Sequence, residues 1–513
     1  WNGSNTPTTG DITIRADSYS LTANTNINTT GGLVFESKDT AFSGSITFPS
    51  SNGTLGSGIS SLRVGKTTNT EDVTVDSELS VAGPISIYGG DIVLSDLTVS
   101  NGTGNIKVLA TGNITDSPNN NHLELTTQGG DILLSSDSDG SNGGYILIDD
   151  TVANSVTERP TFISNGGDII LAGGDVAGSG FAKGTSSYQR GIVLSGPKIL
   201  SDGGDIFIRG ESYGKHNGIY FGISNDPDIN SGTGKIYIHG KQATESYNGS
   251  NTYAIHFRAP NYTSITSSAT SGTAISIIGE AIRHRGIFSD SEMRISSTGT
   301  AVGDNGKIFI SGQRGSSLVW GVALTGGYIL SKSGPIEIEA KNDPATTSNQ
   351  GYLYLKGVTL GSKANSIVPS STADIILKSD LYQTLSSEKT TINTNGTLTL
   401  EPLNSSFGSN HYLNSSTLSY PPLDGFSLNG NNQTLSGLVI GKSTNTSDIK
   451  ITSSFNTSGP ITVYGGNIDV TNNLTTSNSG DLKLLASGNL VLKSNRVLLT
   501  TDGGDVALLS DVD

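Results

Sequence analysis

The chain of 513 residues contains no cysteine, one methionine, two tryptophans and only 6% aromatic residues. The lack of cysteine excludes a disulfide framework. It is compatible with an exported bacterial protein, which must cross membranes unfolded without mispairing thiols, and also with a cytosolic one, since many of those lack Cys. There is no run of 18 apolar residues, so no membrane-spanning helix can be drawn. Basic residues are scarce: 30 Lys and Arg against 45 Asp and Glu, a net charge of −15. Such a balance speaks against nucleic acid, whose phosphates need a surplus of cations, and against an anionic membrane surface. Almost no stretch combines good helix formers with a 3.6-residue apolar period.

What the chain does have is glycine, 67 residues of it, among abundant Ser, Thr, Asn and Asp. These turn formers separate short Ile, Val and Leu runs, which is an all-β pattern. Only 33% of residues are hydrophobic. That is thin for one globular core of this length, but sufficient for a narrow solenoid built on an aliphatic ladder.

Two scales of repetition organise the chain. On the long scale, Gly65–Val73 (GKTTNTEDV) returns as Gly441–Ile449 (GKSTNTSDI), and Gly83–Ile92 (GPISIYGGDI) as Gly459–Ile468 (GPITVYGGNI), both 376 positions on. Gly32–Glu36 matches Thr397–Glu401, and Gly129–Leu134 matches Gly503–Leu508. We therefore read residues 1–9 as a linker or the end of a preceding unit, 10–372 as one long unit, and 373–513 as the opening third of the next. Such self-similarity marks a tandem array. The chain opens on Trp1 and stops inside a repeated motif, as a segment of a longer protein would.

On the short scale, a Gly-x-Ile-x-Ile/Leu pattern sets out rungs of three short strands. One rung reads Gly130–Leu134, Gly144–Ile148, Thr161–Ser164, and the next Gly167–Leu171, Gly191–Leu194, Lys198–Ser201. Two more open at Gly204 and Gly234, and further ones at Thr273 and Gly306. The strand period of two turns Ile169 and Leu171 inward and Asp168 and Ile170 outward. Ile132, Ile169, Ile206, Ile236, Ile275 and Ile308 then share one interior column. The glycine before each first strand marks a corner where a side chain would crowd the bend or φ must be positive. The expected fold is all-β, a right-handed parallel β-helix with three sheets and about 17–20 rungs.

The recurring GGDI-x-L, SGPI-x-VYGG and LASGNL-like strings resemble the repeat regions of filamentous-haemagglutinin-like adhesins and related giant bacterial exoproteins. The likeness runs over nearly the whole chain, although each motif alone is loose. It implies export to the bacterial cell surface or beyond, and work as a stalk or adhesive filament. It brings no catalytic residues with it. The alternative is a carbohydrate-binding or polysaccharide-processing β-helix protein.

Residues 186–330 differ from their flanks, holding His216, His239, His256 and His284, with Arg190, Arg209, Arg258, Arg283, Arg285 and Trp320. Alternation turns Phe207, Tyr237 and Phe309 outward on the first sheet, with Ser276 interrupting. It turns Tyr220, His256 and Phe288 outward on the second. A row of exposed rings near Arg and His suits a polysaccharide or a second copy of the protein. The competing reading is that such rings stack between rungs, as strands favour. Asp137, Asp139 and Asn142, set among glycines, offer oxygen ligands for calcium, or form an ordinary turn. Otherwise no cofactor is expected. Catalysis is not expected either: Asp91, Asp131, Asp168 and Asp205 recur once per rung at one corner, whereas an acid–base pair would break the pattern once.

Overall fold

A computed structural model describes residues 8–19, 25–49, 53–118, 122–141, 143–149, 159–214, 216–222, 224–243, 252–282, 284–300, 303–315, 320–342, 352–383, 388–408, 426–428, 434–452, 454–493 and 497–511. No helix occurs among them; every regular element is a strand. Contacts divide the chain into two compact units, residues 1–265 and 266–513. Each is a parallel β-helix in which successive rungs contribute to three sheets.

In the first unit the first sheet runs in series from Ile12–Arg15 through Gly32–Glu36, Ser61–Val64, Ile85–Gly89, Ile106–Ala110, Ile132–Ser136, Ile169–Gly173 and Ile206–Ser212 to Ile236–Gln242. In the second it runs from Thr273–Glu280 to Val506–Leu509, again nine strands. That is eighteen rungs among the described residues, within the expected range. All twelve strands expected between Gly130 and Ile265 are present, as Ile132–Ser136, Ile146–Ile148, Thr161–Ile163 and their successors up to Tyr262–Ser267.

Register explains the core. Leu33, Leu62, Ile85, Ile106, Ile132, Ile169, Ile206 and Ile236 are successive in-register partners, each at most 1% exposed. Ile275 and Ile308 pair likewise in the second unit, and Ile336 and Ile375 continue their column. Leu482 and Leu484, paired on both sides, are fully buried.

The corners before Ile132–Ser136, Ile169–Gly173, Ile206–Ser212 and Val506–Leu509 follow a Ser/Thr-x-Gly-Gly-Asp pattern, and each position has a separate task. The Ser or Thr hydroxyl points inside: Thr127 donates to the carbonyl of Gly130, and Ser164, Ser201 and Ser231 donate to Gly167, Gly204 and Gly234. Thr127, Ser164 and Ser201 also reach the Ser carbonyl of the next rung. This supplies a partner for the glycine carbonyls and a second one for the Ser carbonyls, which also accept the Gly129, Gly166 and Gly203 amides. The first glycine takes a positive φ, +121° at Gly166 and +132° at Gly203. The second lies against its counterpart one rung earlier: a Cβ on Gly167 would sit 2.2 Å from the Gly130 carbonyl oxygen, and one on Gly204 2.0 Å from that of Gly167. Both reasons proposed from sequence therefore hold, at adjacent residues.

Outside, the Asp accepts a hydrogen bond from the backbone of the next rung. The amide of Asp168 donates to Asp131 Oδ1 at 2.9 Å, Asp205 to Asp168 at 2.7 Å, and Lys235 to Asp205 at 2.7 Å. Asparagine serves equally, with Asp131 N donating to Asn105 Oδ1 at 2.8 Å.

The long repeat has the same logic. Asn69 receives the Phe42 amide and donates to the Tyr88 carbonyl at 2.9 Å; Asn445 receives that of Phe407 and donates to Tyr464 at 2.8 Å. Gly65 and Gly441 both adopt positive φ, +81° and +77°, where a Cβ would strike the same two tyrosine carbonyls.

The middle rungs have longer first strands, seven residues in Ile206–Ser212 and Ile236–Gln242 and eight in Thr273–Glu280 and Lys307–Arg314, against five in Ile106–Ala110. The extension brings backbones close where it meets the second sheet, and small Gly210 and Gly240 pair there in register. We expect Gly204→Ala to cost about 2–4 kcal/mol, since the obstructing atom is backbone and cannot turn aside. Gly44→Ala, where an added Cβ meets nothing within 4 Å, should be nearly neutral. Ile206→Asp should cost more than about 4 kcal/mol by burying an unpaired carboxylate. Urea denaturation of the three variants checks the order.

Candidate contact surface

The six candidate aromatic positions fall in both units: Phe207, Tyr220, Tyr237 and His256 in the first, Phe288 and Phe309 in the second. Within the first unit they are divided again between two sheets. Phe207 and Tyr237 are in-register partners on the first sheet, and their rings stack 4.9 Å apart at 4°. This spacing is the rung spacing itself, so alternation alone drives the rings face to face. The Arg209 guanidinium lies 5.2 Å from the centre of Phe207 and donates to the carbonyl of Gly178 at 2.9 Å. Burial, then the nearby Asp205 carboxylate, raises the Tyr237 phenol above its ordinary value.

Tyr220 and His256 pair on the second sheet, rings 5.4 Å apart. Arg190 covers Tyr220 at 4.7 Å. His256 is 7% exposed, with the Tyr253 ring 4.3 Å from it, so the expectation of an exposed histidine is corrected. In the second unit, Phe288 is in register with Ala323, and Ala323 with Tyr354. Trp320, from just before that strand, lies over the gap left by the alanine: it stacks on Phe288 at 6.4 Å and 8°, and on Tyr354 at 4.9 Å and 21°. Its indole N–H donates to Gln383 at 2.7 Å, and Arg285 lies 4.9 Å from its ring centre. Phe309 has no aromatic neighbour in register, only Ser276 and Glu337, and Lys307 lies 5.1 Å from its ring centre.

Within each unit, therefore, these residues are divided between two sheets. The rings of Phe207 and Tyr237, and of Phe288, Trp320 and Tyr354, lie face to face and cover one another, whereas Tyr220 and His256 are tilted by 58°. A sugar ring packs on an aromatic face, so the stacks serve rung-to-rung cohesion better than recognition.

Charged side chains on the outer face form ladders of the same kind. Glu36 bonds Arg15 and Arg63, and the hydrogen bond from Arg15 is the main reason its carboxyl is held below the ordinary range. Glu337 joins Lys307 and Lys378. There burial opposes ionisation, but the two lysines outweigh it and the carboxyl is again lowered. Arg314 is fully buried, its guanidinium 4.8 Å from the centre of the Tyr352 ring, and burial lowers its pKa.

At the expected calcium turn, fully buried Asp137 takes φ +50°. It accepts from the Gly143 amide at 3.0 Å and faces Lys183 Nζ at 3.4 Å. Asp139 accepts from Ser141, and Asn142 lies outside the described residues. Among the described residues no group of three or more His, Cys, Asp and Glu is placed to hold a metal ion. His284 lies beside Arg283, which is also outside the described residues. The buried Ser/Thr column and the covering role of Trp320 were not anticipated; the recurrence of Ser or Thr three residues before the second glycine was the available signal.

The Asp168 carboxylate gives a pH dependence. Burial, and secondarily Asp131 and Asp205, raise the pKa of Asp168. A raised carboxyl binds its proton more tightly in the folded state, so its contribution is most favourable below the unfolded value of about 3.9 and is lost as pH rises through the raised folded value. Asp168→Asn keeps the acceptor, as Asn105 does, and removes the charge. We expect it to gain about 0.5 kcal/mol over wild type at pH 7, a small figure because solvent screens the site. The gain should vanish near pH 4, as thermal melts across pH would show.

No known family model, curated protein or solved structure matches the chain.

Proposed function

We propose that this chain is an extension segment of a bacterial cell-surface or secreted filament, non-catalytic, which spaces contact regions away from the cell. The observation that carries the reading is the identity of the two repeat copies at their corners. What recurs between Gly65–Ile92 and Gly441–Ile468 is the set of residues that bond one rung to the next, Asn69 and Asn445 above all. A sequence under selection for a reaction would repeat its reacting groups. This one repeats its architecture. The recurring Asp residues support the same view, since each is engaged by the backbone amide of a neighbouring rung. Contacts along such a filament would be with polysaccharide or with a second copy of the protein.

Antibodies raised against the chain should label intact cells of the source organism, or material shed from them, as strongly as permeabilised cells. Labelling that requires permeabilisation would contradict the proposal.

A further inference from the structure

The second unit carries an open cleft of 470 Å³ whose lining includes Arg294, Tyr328, Lys363, Asn365 and Ile367. Its floor belongs to the third sheet, where Arg294, Tyr328 and Thr359 are in-register partners. Tyr328 thus has an arginine on one side and a threonine on the other, and among the described residues its ring joins no aromatic stack. Its wall is the loop that follows Thr359–Gly361. Gly361 takes φ +99°, which turns the chain out of the sheet. The loop is closed by its own hydrogen bonds: Lys363 N donates to the Val368 carbonyl at 3.0 Å, and Ser366 Oγ to that of Lys363 at 2.6 Å. Asn365 holds a positive φ of +58° at its turn.

The chemistry of the lining is mixed in a particular way. Arg294 and Lys363 supply two cations. Glu292, outside the lining, accepts from Arg294 Nη2 at 2.9 Å and steadies the guanidinium. Lys363 Nζ lies 5.3 Å from the centre of the Tyr328 ring. Ile367, 60% exposed, adds apolar surface. The phenol hydroxyl and the Asn365 amide offer donors and acceptors for hydroxyl groups. The volume is within the range of small-molecule sites, about 300–1,000 Å³, and the open form lets a polymer enter from the side.

The geometry points to this cleft as a binding site for an acidic saccharide, one whose sugar rings carry carboxylates. A carboxylate would meet Arg294 or Lys363, the CH face of a ring would meet Tyr328 and Ile367, and hydroxyls would meet Asn365. The attraction is local to Arg294 and Lys363, since the chain as a whole carries −15 and repels polyanions. Acidic peptides share the charge but not the hydroxyls and stacking faces.

Calorimetric titration of the whole chain with hexagalacturonate, maltohexaose and penta-glutamate tests this. The acidic sugar should bind, more weakly as salt rises, and the other two should bind at least about tenfold more weakly. Lys363→Ala and Tyr328→Ala should each weaken hexagalacturonate binding about tenfold, with melting temperature and circular dichroism unchanged, while Lys363→Arg retains it. Absence of hexagalacturonate binding, equal binding of maltohexaose or penta-glutamate, or full binding by both alanine variants would overturn the assignment. None of these results bears on cell-surface labelling, so the extension reading stands or falls separately.

Discussion

The contact of one corner backbone with the next fixes the rest of this structure. Parallel strands of adjacent rungs lie about 4.8 Å apart, and the corners must keep the same pitch although they have no strand ladder of their own. The Gly167 and Gly204 backbones meet so closely that no Cβ fits between them. A buried hydroxyl on one side and an Asp or Asn on the other then bond what the sheets cannot. With corners held at pitch, side chains two apart fall into register, and the aliphatic columns, aromatic stacks and ion ladders follow as consequences.

The same constraint shapes the surface. Any outward position occupied in successive rungs becomes a stack, so Phe207 covers Tyr237, and Lys307 and Lys378 flank Glu337. Recognition is better served where the stack is broken. Tyr328 sits at such a break, between Arg294 and Thr359, under a loop that the corner at Gly361 throws outward. Where the rungs are regular, the surface holds itself together; where a loop departs, a site can form.

The fold was largely legible because its period is written into the chain. The Gly-x-Ile-x-Ile pattern located strands such as Ile169–Gly173 and the column from Ile132 to Ile236, since inward positions tolerate little but Ile, Leu and Val. The division of labour within Ser164–Asp168 was less visible, because a buried serine and a loop serine read alike in sequence. The candidate contact surface was legible residue by residue but not as a surface. Alternation predicts that Tyr220 and His256 share a face, not that Tyr253 packs on the histidine. Trp320 lies over the gap above Ala323 from outside the strand, a placement no periodicity encodes. The cleft at Tyr328 escaped for the same reason: it depends on where a loop folds back.

Hydrogen exchange at the corners tests the central claim most directly. Asp168, Asp205 and Lys235 lie just outside their strands, yet each donates its amide to a side-chain oxygen of the preceding rung. If these bonds hold the pitch, their amides should exchange as slowly as those of Ile169, Ile206 and Ile236 inside the sheet. Corner amides that exchange at the rate of open loops, while the strand amides stay protected, would show that the sheets stack without the corners and would contradict the account.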